Sequence, residues 1–199
     1  EGELDEARAE IEEAQRIAPG ERRFWQMRLS VDGRLGDDAG VQETLRQMIR
    51  AFPEDDTLPR SLMQFYASRG NLDGAERFLR DRIVRGQQDD AARIALVQFL
   101  DQARGDAAAL EETEALVAEG TNDDLFRSVR ATLLYDDGRR AEALREMQDI
   151  VANAEPGEQA NDIKASYARL LDRDGDPVGA RAAIEDILEE DPTHVAALV

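Results

Sequence analysis

The feature that most constrains this chain is a short phrase that returns at a nearly fixed interval. A Gly is followed by a few polar residues, then a small or apolar residue, then an amphipathic run that ends near a Pro. Gly2 leads through Ala7, Ile11 and Ala14 to Pro19, and Gly36 leads through Val41, Leu45 and Met48 to Pro53. Gly70 with Ala75, Gly105, Gly138 with Ala143 and Gly175 with Ala180 continue the series at offsets of 33 to 37 residues. A unit of that length cannot bury its own apolar faces, so it must stack on copies of itself.

Each of the six glycines falls between two helical patterns, where a residue without Cβ ends the first helix in a left-handed conformation. The small residue five places later lies on the apolar face of the next helix, where it allows close approach. Pro19, Pro53 and Pro192 stop that helix, because proline lacks an N–H and restricts its predecessor. The unit is helix, tight turn, helix, turn. The pattern predicts second helices near 3–18, 37–52, 72–86, 106–119, 139–154 and 177–190. First helices are predicted near 22–35, 57–69, 91–103, 124–137 and 160–173. Pro59, in the first turn after Thr57, and the acidic pairs Asp55-Asp56, Asp89-Asp90 and Asp123-Asp124 suit helix N-termini.

These residues resemble the tetratricopeptide repeat (TPR) family. The pieces that match are Trp25 early in a first helix, Leu62 and Tyr66 before Gly70, Ala131 before Gly138, Ala168 before Gly175, and the ending Asp191-Pro192. The resemblance covers essentially the whole chain. It implies an all-α fold, a right-handed α-α superhelix, here one solenoid over 1–199 with about five whole repeats and partial repeats at both ends. Three departures stand out. Gln87 replaces a terminal Pro, Pro156 comes one place late, and the segment from Gly105 to Gly120 lacks both the alanine and the Pro. Looser or shifted packing is therefore expected around Leu110, Leu116 and Val117.

The same sequence is poor in catalytic groups. Among 199 residues there is no Cys, which removes disulfides and thiol chemistry, and one His. That residue, His194, is read as part of the turn Asp191-Pro192-Thr193-His194. Ser61, Ser128 and Ser166 have no histidine to activate them, and the glycines are spread one to a repeat rather than clustered as in a phosphate loop. Asp172-Arg-Asp174-Gly-Asp176 is like half of a calcium loop, but its sixth and twelfth places hold Pro177 and Ala183. A turn whose aspartates cap the next helix fits it better. The chain is predicted to be no enzyme and to need no cofactor or metal. The aromatics Phe24, Trp25, Phe65, Tyr66, Phe99, Tyr135 and Tyr167 all fall in first helices and are read chiefly as packing.

A net charge of −19 argues against nucleic acid or an anionic lipid surface as partner. No run is apolar enough to span a membrane, and the start lacks a signal-peptide pattern. The chain opens and closes inside helical patterns, so both ends read as cut from something longer. One lysine, Lys164, against 24 arginines suggests a GC-rich bacterial genome and leaves cytoplasm and cell envelope both open.

The charge is unevenly spread. The first-helix windows 22–35, 57–69, 91–103, 125–137 and 161–173 hold twelve basic residues against six acidic ones, so the acid lies elsewhere. In the family this chain resembles, first helices line a concave groove. The positions usually facing it hold Arg23, Arg34, Arg60, Arg169 and Arg173 against Asp101, Asp136, Asp162 and Asp172. The first two repeats contribute arginines only. Gln26, Ser30, Gln64, Gln98, Gln102, Ser128, Thr132 and Tyr135 complete a surface suited to hydrogen bonding with an extended peptide or a helix. The Lys and Asn clamp of co-chaperone relatives is missing, since Lys164 is alone. Two functions follow as expectations. One is a non-catalytic interaction module or scaffold that binds a protein segment, an acidic or C-terminal one suiting the arginines. The other is a spacer or oligomerisation array that positions a fused catalytic or membrane-anchored part.

Overall fold

The computed structural model describes residues 2–85, 89–120 and 122–198, and within them every regular element is a helix. Gln87 lies outside the described residues. The helices fall into two compact units, 1–75 and 76–199, with the division inside α5.

The first unit holds α1 (Gly2–Ile17), α2 (Arg22–Leu35), α3 (Asp38–Ala51), α4 (Thr57–Ser68) and the start of α5 (Leu72–Arg85). The turn from α2 to α3 shows why two residues suffice. Gly36 has φ of 68°, a conformation that penalises a Cβ, and Asp37 N donates to Asp32 O at 2.9 Å. Asp37 Oδ1 then accepts from Gly40 N at 2.8 Å, which caps α3. Asn71 and Asp176 cap α5 and α11 in the same way, through Gly74 N and Gly179 N. The core of this unit gathers Trp25, Met48 and Leu58, with Leu29, Ile49 and Phe52 packed around them. Trp25 Nε1 donates to Pro19 O at 2.9 Å, so the residue that ends α1 also fixes the first helix after it. Leu62 and Tyr66 are fully buried, as the repeat pattern requires.

The second unit holds the rest of α5, then α6 (Asp90–Arg104), α7 (Asp106–Glu119), α8 (Asp123–Asp136), α9 (Arg140–Asn153), α10 (Glu158–Asp174), α11 (Pro177–Glu190) and the single turn α12 (Val195–Leu198). Neighbours in sequence pack together from α6 to α11, α10 also touches α8, and α12 rests on both α10 and α11. Ala131, Ala143 and Ala165 have no exposed surface, so the small residues sit where helices approach most closely.

The segment after Gly105 corrects one expectation. Gly105 is the whole connection between α6 and α7, with φ 89° and ψ 169°, a region open essentially to glycine alone. The turn is thus one or two residues shorter than its counterparts, and Leu116 is buried eleven places after its glycine, where Met48, Ile150 and Ile187 are buried twelve places after theirs. The packing is shifted, but Leu110 and Leu116 are buried and only Val117 is half-buried, so it is not loose.

Candidate functional site

In the first unit, Arg23, Gln26, Ser30 and Arg34 recur at helical spacing on α2, and Arg60 and Gln64 on α4; all six are exposed. Helical geometry puts them opposite the buried residues Trp25 and Asp32 on α2, and Leu58, Leu62 and Tyr66 on α4. Arg23 and Arg34 form no ion pair among the described residues. Arg60 Nε donates to Asp56 O of its own helix at 3.2 Å and leaves the rest of its guanidinium open.

The second unit treats its candidates differently. Gln98, Gln102, Arg169 and Arg173 are exposed, and Thr132 is half-buried. Ser128 and Tyr135, expected as open surface donors, are buried. Ser128 Oγ donates to Leu125 O at 2.7 Å and Thr132 Oγ1 to Ser128 O at 3.1 Å, so both hydroxyls are spent on their own helix. Tyr135 OH donates to Asp174 Oδ1 at 3.3 Å while its ring lies under Arg173, 4.7 Å from the guanidinium carbon. Arg173 also donates to Asp136 at 2.5 Å. That carboxylate holds the guanidinium still more firmly in its charged state. Arg169 donates to Ser166 Oγ at 2.8 Å and has no carboxylate partner among the described residues. Arg169 and Arg173 line a cavity of about 830 Å³ together with Ala165, Ala168, Ala180 and Ile184 and with Ala196 and Ala197 of α12.

The aspartates explain themselves structurally. Asp176 caps α11, so its place in the calcium-like stretch belongs to the turn. Asp101 lies near two other acids. Burial first, then Asp106, to which it is hydrogen-bonded, and then Asp136 push its carboxyl above the usual carboxylate range. Among the described residues no group of three acids or histidines is arranged to hold a metal ion, and no helix is long and apolar enough to cross a membrane.

No protein-family model matches the chain, and no curated protein matches it. Solved structures do. A thermophilic TPR protein of Thermus thermophilus aligns with a TM-score of 0.54 at 15% identity, over 87% of this chain and 95% of its own. A tetratricopeptide repeat protein from Parabacteroides merdae aligns with a TM-score of 0.51 at 16% identity, over 100% of this chain and 79% of its own. The chain has the tetratricopeptide-repeat fold.

Within that TPR fold, two polar groupings escaped the repeat pattern. The first is a charged core in the first unit. Asp32 has no exposed surface; its Oδ2 accepts from Thr44 Oγ1 at 3.0 Å, and Arg8 Nε and Arg28 Nε stand 3.3 and 3.6 Å from its two oxygens. Arg8 also donates to Asp37 at 2.7 Å, and Arg28 reaches Glu12 and Gln15. Three helices of the unit are tied through one carboxylate. A signal existed in the sequence: 25, 29 and 32 share a helix face, and Asp32 is the polar residue on an apolar stripe. The second grouping is a ladder in the second unit, where Asn122 donates to Asp90 at 2.6 Å and pairs reciprocally with the amide of Gln159. Its members come from three successive repeats, and nothing local in the sequence marks them as partners.

Proposed function

We propose that the chain is a non-catalytic protein-interaction module, one array of about five TPR repeats, that takes up a segment of a partner protein on its first helices. The observation that carries this reading is the open polar face of the first unit. Arg23, Gln26, Ser30 and Arg34 on α2 with Arg60 and Gln64 on α4 are exposed, and Arg23 and Arg34 are not neutralised by neighbouring acids among the described residues. Side chains that had evolved only to balance the acidic charge would be paired, as Arg173 is with Asp136. A guanidinium offers a planar fork of donors that matches a carboxylate, so an acidic or C-terminal segment is the occupant that fits. Arg169 supplies a further open guanidinium in the second unit. The net charge of −19 repels such a segment at long range, which sets a modest affinity and no fast steered association.

The experiment starts by crosslinking partners in the intact organism and then measures binding of the purified partner. The Arg34→Ala/Arg60→Ala double variant should bind about tenfold more weakly or worse, the scale of losing hydrogen bonds to a charged group. Arg145→Ala is the control. It removes an exposed arginine of α9 whose Nε bonds only Ala141 O, and it should bind as wild type does. Equal binding by the two variants would sink the first-helix assignment and favour the spacer array.

A further inference from the structure

Between α11 and α12 the chain makes the turn Asp191-Pro192-Thr193-His194. His194 is the one histidine of the sequence, and although it sits in a turn it is only 6% exposed. Its Nε2 lies 3.3 Å from Oδ1 of Asp162 on α10, and its Nδ1 is buried with no hydrogen-bond partner among the described residues. The backbone of the same residue starts α12, since Ala197 N donates to His194 O at 3.1 Å. One side chain therefore joins the first turn of α12 to the flank of α10.

The surroundings of the imidazole are acidic. It lines a cavity of about 350 Å³ together with Glu158 and Asp162 of α10 and Asp191 of the turn. Glu190, at the end of α11, lies 3.7 Å from Lys164 of α10, and no Lys or Arg lines the cavity among the described residues. The Asp191 carboxyl is held below the usual carboxylate range, first by the hydroxyl and backbone N–H of Thr193 and then by His194. Three carboxylates thus face the group, one of them within ion-pair distance.

We propose that His194 is a proton-operated latch that sets how tightly α12 is held against α10. With both ring nitrogens protonated, Nε2–H donates to Asp162 in a charge-assisted bond; with one proton gone, the pair loses its charge on one side. Asp162 is 63% exposed in its side chain, so only one partner of the pair has left water. The bare Nδ1 does not choose between the states, because it lacks a donor when neutral and an acceptor when protonated. The sign follows. The latch is closed when the ring carries both protons and looser when it carries one. Ala196 and Ala197 belong to the turn that the latch holds, and they line the cavity that Arg169 and Arg173 also line.

The whole chain, labelled with ¹⁵N, gives the test by NMR, because a single histidine makes the imidazole signal unambiguous. Amide protection factors for Val195–Leu198, corrected for intrinsic exchange, should fall in step with the loss of the second ring proton of His194, followed by its own imidazole signal. Asp162→Asn, at an exposed site that leaves the fold intact, should lower the imidazole midpoint and reduce α12 protection at acid pH. His194→Gln should make that protection independent of pH. Constant α12 protection while the imidazole titrates, or an unchanged midpoint in Asp162→Asn, overturns the latch.

Discussion

Single residues in this chain show how charge decides position. Asp37 and Asp101 are both partly buried aspartates, and their carboxyls are displaced in opposite directions. Gly40 N–H and then Arg8 hold Asp37 below the usual carboxylate range; burial, Asp106 and Asp136 push Asp101 above it. The linkage signs differ accordingly. Asp37 contributes stability at neutral pH that is lost as pH falls through its depressed value. Asp101 is a cost at neutral pH that is relieved as pH falls through its raised value and the group takes a proton. Asp101→Asn keeps a donor for Asp106 and removes the charge. It should raise stability at pH 7 by a fraction of a kcal/mol once solvent screening is allowed for. Urea melts of the two proteins should converge toward about pH 4, where an ordinary aspartate takes its proton, and a variant less stable at pH 7 would show that the acid is held favourably. None of this is legible in the sequence, which places Asp101 and Asp136 on first helices but cannot say that they meet. His194 is legible there only as a turn residue, because its burial depends on packing against α10, far back along the chain.

Helices are the legible level, and the reason is physical. The glycines that end helices and the aspartates that start them act over four or five residues, so the boundaries are written locally. The α6–α7 connection shows where local reading runs out. Gly105 stands out in the sequence, but a shorter turn rotates the following helix, and Leu116 is buried where the count from the glycine would bury Val117. Ala143 tests the rule where the register is regular. It has no exposed surface on α9, two residues from the exposed Ala141 of the same helix. Ala143→Leu should overpack the crossing and cost about 1–3 kcal/mol, while Ala141→Leu should be nearly neutral. Denaturant midpoints of the two variants measure this directly, and equal midpoints would mean that the small residue is not needed for close approach.

At the scale of the whole molecule the dominant number is the charge of −19 on 199 residues. Two effects of salt then oppose each other. Screening weakens the ion pairs, and it also weakens the mutual repulsion of the surplus acids. Most of the pairs lie at the surface, such as Arg50 with Glu43, Arg139 with Glu142 and Arg181 with Glu185, where each contributes about 0–1 kcal/mol. The pairs that matter more, around Asp32, are buried and are screened least. Repulsion among the surplus carboxylates has no such protection, because those groups face water. Raising NaCl from about 0.01 M, with a Debye length of about 30 Å, to about 0.15 M, where it is about 8 Å, should therefore stabilise the chain. The expected readout is a higher midpoint for each resolved thermal transition at constant pH, followed by circular dichroism. A lower midpoint in salt would mean that surface ion pairs outweigh the self-repulsion. The arginine-rich first helices would then owe their place to the fold rather than to a partner.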